Sequence, residues 1–312
     1  MTEGWIPVRV VADTGTGPAA EWCRLGDLRF EEPFFEQTVR RALQRPFNLA
    51  FRPRRPLDAL PPGPSPAGLI FHLSRCGSTL VAKMLAALPE TVVLSEPPPV
   101  DHIVRARAGE EQRARWLRAL AGAFACGTGA KRLFLKLDAW HALDLPLFAR
   151  AFPGVPWIFL YRDPLEVLVS HARQMSWMMA AANGPDLLGV SVADAMRIPR
   201  PEYHARVLAR ICEAVLREGG AGARLVAYDE LPDAALARIP ALFGLDLSAA
   251  DREAMRAVAH YHAKEPERAF VPDAAEKQSA AAPELHAAAE RWLNALYARL
   301  EATRELSRRP DR

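Results

Sequence analysis

Residues 68 to 88 read GLIFHLSRCGSTLVAKMLAAL. The run Gly68 to Leu73 is apolar without strict alternation, the pattern of a strand buried on both faces. It breaks into the polar turn Ser74-Arg75-Cys76-Gly77-Ser78-Thr79. Leu80, Val81, Met84, Leu85 and Leu88 then recur at helical spacing. A strand, a tight turn and a helix are therefore predicted in immediate succession. This layout points several backbone N–H groups at the helix start into one concavity, which suits an anion. Gly77 permits the turn, the Ser78 and Thr79 hydroxyls add donors, and Arg75 supplies a fixed positive charge at the rim. The plainer reading is that Ser78 or Thr79 only caps a helix. Neither G-x-x-x-x-G-K-[ST] nor G-x-G-x-x-G occurs here, so a Walker nucleotide site and a dinucleotide fold are disfavoured.

Outward from this stretch the same alternation continues. Thr91 to Leu94 (TVVL), Arg132 to Leu137 (RLFLKL), Pro156 to Tyr161 (PWIFLY) and Ala223 to Ala227 (ARLVA) are strand candidates separated by helix-like segments. The pattern predicts an α/β fold of three layers, a mainly parallel central sheet flanked by helices. Ligands of such sheets bind beyond the carboxyl ends of the strands. The run PWIFLY ends in Arg162-Asp163-Pro164-Leu165-Glu166. Asp163 suits the N-cap, Pro164 the first helical position, and Glu166 the reciprocal position of a capping box. Ser170 then falls about two turns into the helix.

The remaining composition bounds the function. The chain has 312 residues, 50% hydrophobic and 25% charged, which is a globular balance. Forty Lys+Arg against 37 Asp+Glu leave +3, too little for the broad basic face of a nucleic-acid binder. Only Lys83, Lys131, Lys136, Lys264 and Lys277 are lysines. Cys23, Cys76, Cys126 and Cys212 form no C-x-x-C pair, which favours free thiols in a reducing compartment. The N-terminus lacks a signal-peptide pattern and no apolar run is long enough to span a membrane, so a cytoplasmic location is expected. Residues 1–65 read as an N-terminal extension, with a helix in EEPFFEQTVRRALQ that shows Phe34, Val39 and Leu43 on one face. The Pro-dense FRPRRPLDALPPGPSPAG reads as an extended connector ending near Pro66, and residues 66–312 as the main domain. A C-terminal helix is expected from Pro283 to Leu306.

Arg75-Cys76-Gly77-Ser78-Thr79 resembles the 5′-phosphosulfate loop of the sulfotransferase superfamily, whose members carry a basic residue, a small residue, Gly and two hydroxyl residues. Cys76 stands where Ser is commoner. Arg162 and Ser170 match that family's Arg-x-Pro-(x)5-Ser, which binds the 3′-phosphate of 3′-phosphoadenosine 5′-phosphosulfate (PAPS). The resemblance covers roughly residues 66 to 280 and is closest to the bacterial and tyrosylprotein-sulfotransferase branch. It implies a PAPS-dependent sulfotransferase without a metal, leaving 3′-phosphoadenosine 5′-phosphate (PAP) as product. Arg75 and residues Cys76 to Leu80 would hold the 5′-phosphate. Tyr228, in Ala227-Tyr228-Asp229-Glu230-Leu231, resembles the branch's nucleotide-contacting Tyr in Tyr-Glu-Asp-Leu, with the acidic pair inverted. Lys277 resembles a C-terminal Lys at the 5′ end of the donor; an exposed helix lysine is the competing account.

Glu96 lies 21 residues after Arg75, the spacing that the catalytic Glu has in that branch, and is the expected base. Pro97, Pro98 and Pro99 would stiffen its loop. His72, Asp101 and His102 are its rivals, with His102 opening what reads as a helix, and Asp138 and His141 stay open because the cytosolic branch carries its His base after a different strand. His72 reads first as a core histidine. Lys136 either contacts the sulfuryl group or snorkels from a sheet edge. Met175, Met178 and Met179 read as core or as an adaptable pocket wall. His260 and His262 lack helical metal spacing, and no G-x-S-x-G elbow exists. The acceptor, a small-molecule or peptide hydroxyl, and the oligomeric state have no legible motif. A kinase-like phosphoryl transferase of related fold and a non-catalytic nucleotide-binding scaffold are the alternatives.

Overall fold

A computed structural model describes residues 3–11, 17–174, 187–218, 224–259 and 274–307. Met175, Met178, Met179, His260 and His262 lie outside the described residues. Five parallel strands make the central sheet: β4 (Gly68–His72), β5 (Thr91–Ser95), β6 (Arg132–Lys136), β7 (Trp157–Tyr161) and β8 (Leu225–Ala227). Their order is β5-β6-β4-β7-β8. The expected three-layer α/β architecture is what the chain adopts.

Strand β4 is central, with Ile70 beside Ile158 of β7 and Lys136 of β6. Every residue of β4 is buried, which explains its lack of alternation: both faces carry helices. Leu69 and Phe71 join one apolar cluster with Leu135, Phe159 and the helix Glu110–Thr128. Ile70 points to the other cluster, with Val81, Met84, Val226 and Met255. The loops that follow β4, β5, β6 and β7 consequently open at one edge of the sheet.

Three further strands, β1 (Trp5–Val11), β2 (Ala19–Arg24) and β3 (Arg54–Pro56), form an antiparallel sheet in the order β1-β2-β3. Part of the Pro-dense stretch is thus an edge strand where proline is tolerated, followed by a 3-10 turn at Leu57–Ala59. Strand β1 packs on the helices Pro98–Val104 and Glu110–Thr128. Ile6, Trp22, Phe35 and Leu57 belong to the same cluster as Leu69 and Phe71, so the apolar core runs across residue 66.

Local expectations needed three adjustments. The first helix spans Phe35–Leu43, and Phe34 sits before it in extended backbone, with its ring 5.3 Å from the Lys136 ammonium. The helix after β5 starts at Pro98 rather than His102, because proline pre-sets φ for a first helical turn. The C-terminal helix is two, Pro283–Trp292 and Asn294–Leu306, broken at Leu293, whose ψ of −38° accompanies a φ of −122°.

Candidate active site

The turn after β4 is the most contorted part of the described backbone. Ser74 (φ 75°), Arg75 (φ 52°) and Gly77 (φ 81°) all take left-handed conformations, two of them without glycine's freedom, at a cost typical of functional sites. The helix Ser78–Ala86 follows with no side-chain cap on its first turn, so capping is not the duty of Ser78 or Thr79. A Cβ on Gly77 would lie 2.6 Å from Leu231 Cδ1 and 3.0 Å from the Tyr228 ring. Glycine is therefore required both by φ and by close approach. Cys76 is fully buried; its thiol donates to the Leu160 carbonyl at 3.2 Å, and burial pushes its pKa up to about 12. The thiol tethers the loop to β7. The Arg75 guanidinium donates to the Gln174 backbone carbonyl and, at 3.3 Å, to Gln174 Oε1.

The turn after β7 lies against the first loop. Asp163 Oδ1 accepts from the backbone N–H groups of Leu165 and Glu166 at 2.9 and 3.2 Å, which caps the helix Pro164–Arg173. The expected capping box is not completed. Glu166 Oε2 accepts from Arg162 at 2.5 Å instead, in a pair whose side chains are 5 and 7% exposed. A charge-assisted bond to a guanidinium is stronger than one to a cap amide, so Arg162 takes the carboxylate. The Arg162 guanidinium also stacks 3.9 Å above the Tyr228 ring. Tyr228 thereby touches Gly77's surroundings on one side and Arg162 on the other, joining the two loops. Ser170 is half-buried on the same helix as Glu166. Lys277 is 6% exposed, which excludes an exposed helix lysine. Its helix Ala274–Ser279 packs on Pro164–Arg173, and neighbouring Gln278 donates to Glu166 Oε1 at 3.3 Å.

Beside the loops stands a charged group from three strands. Glu96 follows β5 with φ 53°. Its backbone N–H donates to the Lys136 carbonyl at 2.7 Å, and its carboxylate accepts from the Lys136 ammonium. Lys136 is fully buried on an interior strand, so the snorkelling edge lysine is excluded. His72 Nε2 lies 3.5 Å from the same Glu96 oxygen, while its Nδ1 accepts from the Ser74 N–H at 3.0 Å. The ring is therefore no bystander in the core: it links the turn after β4 to Glu96. Burial would raise the Glu96 carboxyl, but the Lys136 ammonium and His72 outweigh it and hold the group well below the ordinary carboxylate range. Burial lowers His72, which keeps the ring neutral and its Nδ1 an acceptor.

The rivals form a second cluster after β6. His141 Nε2 meets Asp101 Oδ1 at 3.0 Å, the Trp140 indole donates to the same oxygen at 2.7 Å, and the Asp138 N–H donates to His141 Nδ1 at 3.3 Å. Burial pushes Asp138 well above its ordinary value, against the opposing pull of His141. His102 faces away, its Nδ1 accepting from Val10 of β1 at 3.3 Å. Asp101, Asp138 and His141 bring ligand atoms within 4.8 Å of one another. A cation there would have to take Asp101 from both His141 and Trp140.

Of the sequence-derived candidates, the structure gathers Arg75, Cys76, Gly77, Ser78, Thr79, Leu80, Arg162 and Tyr228 around two adjoining loops, with Glu96 and Lys136 paired beside them. Glu166, which the sequence places only in a helix cap, and His72, a rival that reads first as a core histidine, adjoin the same loops. A cavity of about 1060 Å³ lies elsewhere, at the amino end of β5, lined by Leu28, Phe30, Lys83 and Val92. Among the described residues no helix is long and apolar enough to cross a membrane.

No protein-family model and no curated protein matches the chain. Solved structures do. A sulfotransferase of Alicyclobacillus acidocaldarius is similar at 14% identity, over 78% of this chain and 96% of its own, with a TM-score of 0.46. One of Mycobacterium avium aligns at 15% identity over 75% of this chain and 77% of its own, with a TM-score of 0.45. A mouse sulfotransferase complexed with PAP aligns at 11% identity over 81% of this chain and 92% of its own, with a TM-score of 0.40. Each of these three solved structures is named as a sulfotransferase.

Proposed function

We propose that the chain is a sulfotransferase that moves a sulfuryl group from PAPS to an acceptor hydroxyl, by in-line displacement and without a metal. The observation that carries this reading is the junction at Tyr228. It holds a left-handed, uncapped anion loop and a buried arginine turn side by side, as a nucleotide with phosphates at both its 5′ and 3′ positions requires. The donor supplies an activated sulfur on a phosphosulfate anhydride. The N–H groups of Gly77 to Leu80 and the Ser78 and Thr79 hydroxyls cradle the 5′-phosphate, and Arg75 offsets the charge that builds on its leaving oxygen. Arg162 and Ser170 hold the 3′-phosphate, Tyr228 supports the nucleotide between them, and Lys277 closes the 5′ end from the neighbouring helix.

Glu96 accepts the acceptor's proton as the new O–S bond forms and the bond to the 5′-phosphate breaks. Its pairing with Lys136 makes it a weak base at rest. A sulfuryl group within reach of Lys136 competes for that ammonium and raises the proton affinity of Glu96 when it is needed. His72 is a positioning residue that keeps the carboxylate in register with the loop. Binding of PAP by calorimetry, compared with ATP and with adenosine 5′-phosphosulfate, tests the assignment. Preference for the ligand bearing a 3′-phosphate supports it, and equal or stronger binding of ATP overturns it.

A further inference from the structure

We propose that the turn Pro46–Phe51, with the arginines around it, is a docking surface for an anionic membrane interface. Phe47, Leu49 and Phe51 are 46, 68 and 52% exposed, a group of large apolar side chains that a globular surface ordinarily hides. Their outward direction is built in. Asn48 between them is 1% exposed; it accepts from the Arg24 N–H at 2.8 Å and donates to the Arg24 and Ala42 carbonyls, each at 2.8 Å. A buried amide so engaged fixes the turn and commits its neighbours to solvent. Trp5 packs edge-on against Phe47 and Phe51 at 5.8 and 6.1 Å, and those two meet at 5.8 Å. The aromatic group is thus pre-organised, and it surrenders little side-chain freedom on binding.

The charge around it selects the partner. From Gln37 to Leu57 the chain has six arginines, Arg40, Arg41, Arg45, Arg52, Arg54 and Arg55, and no acidic residue. Three carboxylates from outside this span reach them: Glu32 pairs with Arg41, Asp27 with Arg45 at 2.6 Å, and Glu21 with Arg52 and Arg54 at 3.3 and 3.1 Å. The patch is left with a net positive charge, and Arg40 and Arg55 are exposed. A second copy docked about a twofold axis would set these arginines against each other. Phe47, Leu49 and Phe51 line neither the 1060 Å³ cavity nor the 530 Å³ one beside Asp163. Protruding apolar side chains on an arginine-rich segment, with Arg24 lying 5.8 Å from the Phe47 ring, fit a deformable anionic interface, where apolar insertion and headgroup attraction act together.

The test is co-flotation of the full chain with vesicles of phosphatidylcholine, alone or mixed with phosphatidylglycerol. Binding to the mixed vesicles is expected, weakening with salt, and Leu49→Glu should lower the partition coefficient about tenfold or more. Leu49 is 68% exposed, so that variant should melt like the parent; Arg40→Gln/Arg55→Gln provides a second, conservative probe that should flatten the salt dependence. Absence of binding to the mixed vesicles overturns the proposal, as does binding that neither variant weakens. A dimer that Leu49→Glu dissociates, or binding to polyglutamate in preference to vesicles, would assign the patch to a protein partner and overturn it equally. None of these outcomes depends on donor binding.

Discussion

Replacing Glu96 by alanine should destabilise the protein by about 3–5 kcal/mol, because it leaves the Lys136 ammonium buried without its counter-charge. The magnitude follows from exposure: the Lys136 side chain is 1% accessible, against 26% for Glu96. Lys136→Met should cost less, about 1–3 kcal/mol, since Glu96 keeps solvent contact and His72 nearby. The double variant Glu96→Ala/Lys136→Met should lose less than the sum of the two single variants, with a coupling of about 2–3 kcal/mol. Urea unfolding of the four proteins at neutral pH measures this, provided the slope stays constant across the set. The pH dependence has a defined sign. The carboxyl is depressed in the folded state, so its contribution is present above the unfolded value of about 4.3 and fades as pH falls through the lower folded value. Glu96→Gln, which preserves shape and one acceptor oxygen, should keep PAP affinity while slowing turnover about a hundredfold or more. Additive losses in the cycle, or an unchanged rate in Glu96→Gln, would remove the pair from both the stability and the chemistry argued for it.

Arg162→Ala should weaken PAPS far more than adenosine 5′-phosphosulfate, by about 1.5–3 kcal/mol; equal weakening in calorimetry would assign Arg162 to the fold through Glu166 alone. Gly77→Ala should abolish PAP binding, since the added Cβ meets Leu231 at 2.6 Å at a left-handed φ; retention of affinity would mean that the loop adapts freely. Asp138→Asn should raise stability at neutral and alkaline pH. Burial raises Asp138 in the folded state, so its carboxyl penalises folding increasingly as pH climbs from the ordinary carboxylate value through the raised one. Thermal melts across that range check this, and a variant less stable than the parent at alkaline pH would contradict it.

The parts of the site that were legible in the sequence are those whose reason is local. Strand, tight turn and helix at Gly68 to Leu88, and Asp163-Pro164 opening a helix, are written in consecutive residues. What could not be read depends on partners brought together by the sheet. Lys136 and Glu96 lie 40 positions apart and meet because β5 and β6 are neighbours. Tyr228 could be matched by resemblance, but its place between Gly77 and Arg162 arises from the packing of the β8 turn. The capping-box reading of Glu166 failed because a buried guanidinium outcompetes a cap amide for its carboxylate. A strand position alone does not reveal that one ring nitrogen of His72 faces the Ser74 N–H and the other the Glu96 carboxylate. The break at Leu293 carries no Gly or Pro signal, and nothing in its neighbours marks it.

Acceptor sulfation from PAPS, followed by mass spectrometry over a panel of small-molecule and peptide hydroxyls with and without excess EDTA and with ATP as a mock donor, bears on the proposed chemistry without any variant. A sulfuryl group carries less negative charge than a phosphoryl group, so Arg75, the loop amides and Lys136 can stabilise its transfer without a divalent cation. The expected result is the gain of one sulfuryl mass on an acceptor, with PAP released in equal amount and the rate unchanged by chelator. Loss of activity with EDTA and its return with Mg²⁺, or phosphoryl transfer from ATP, would contradict it.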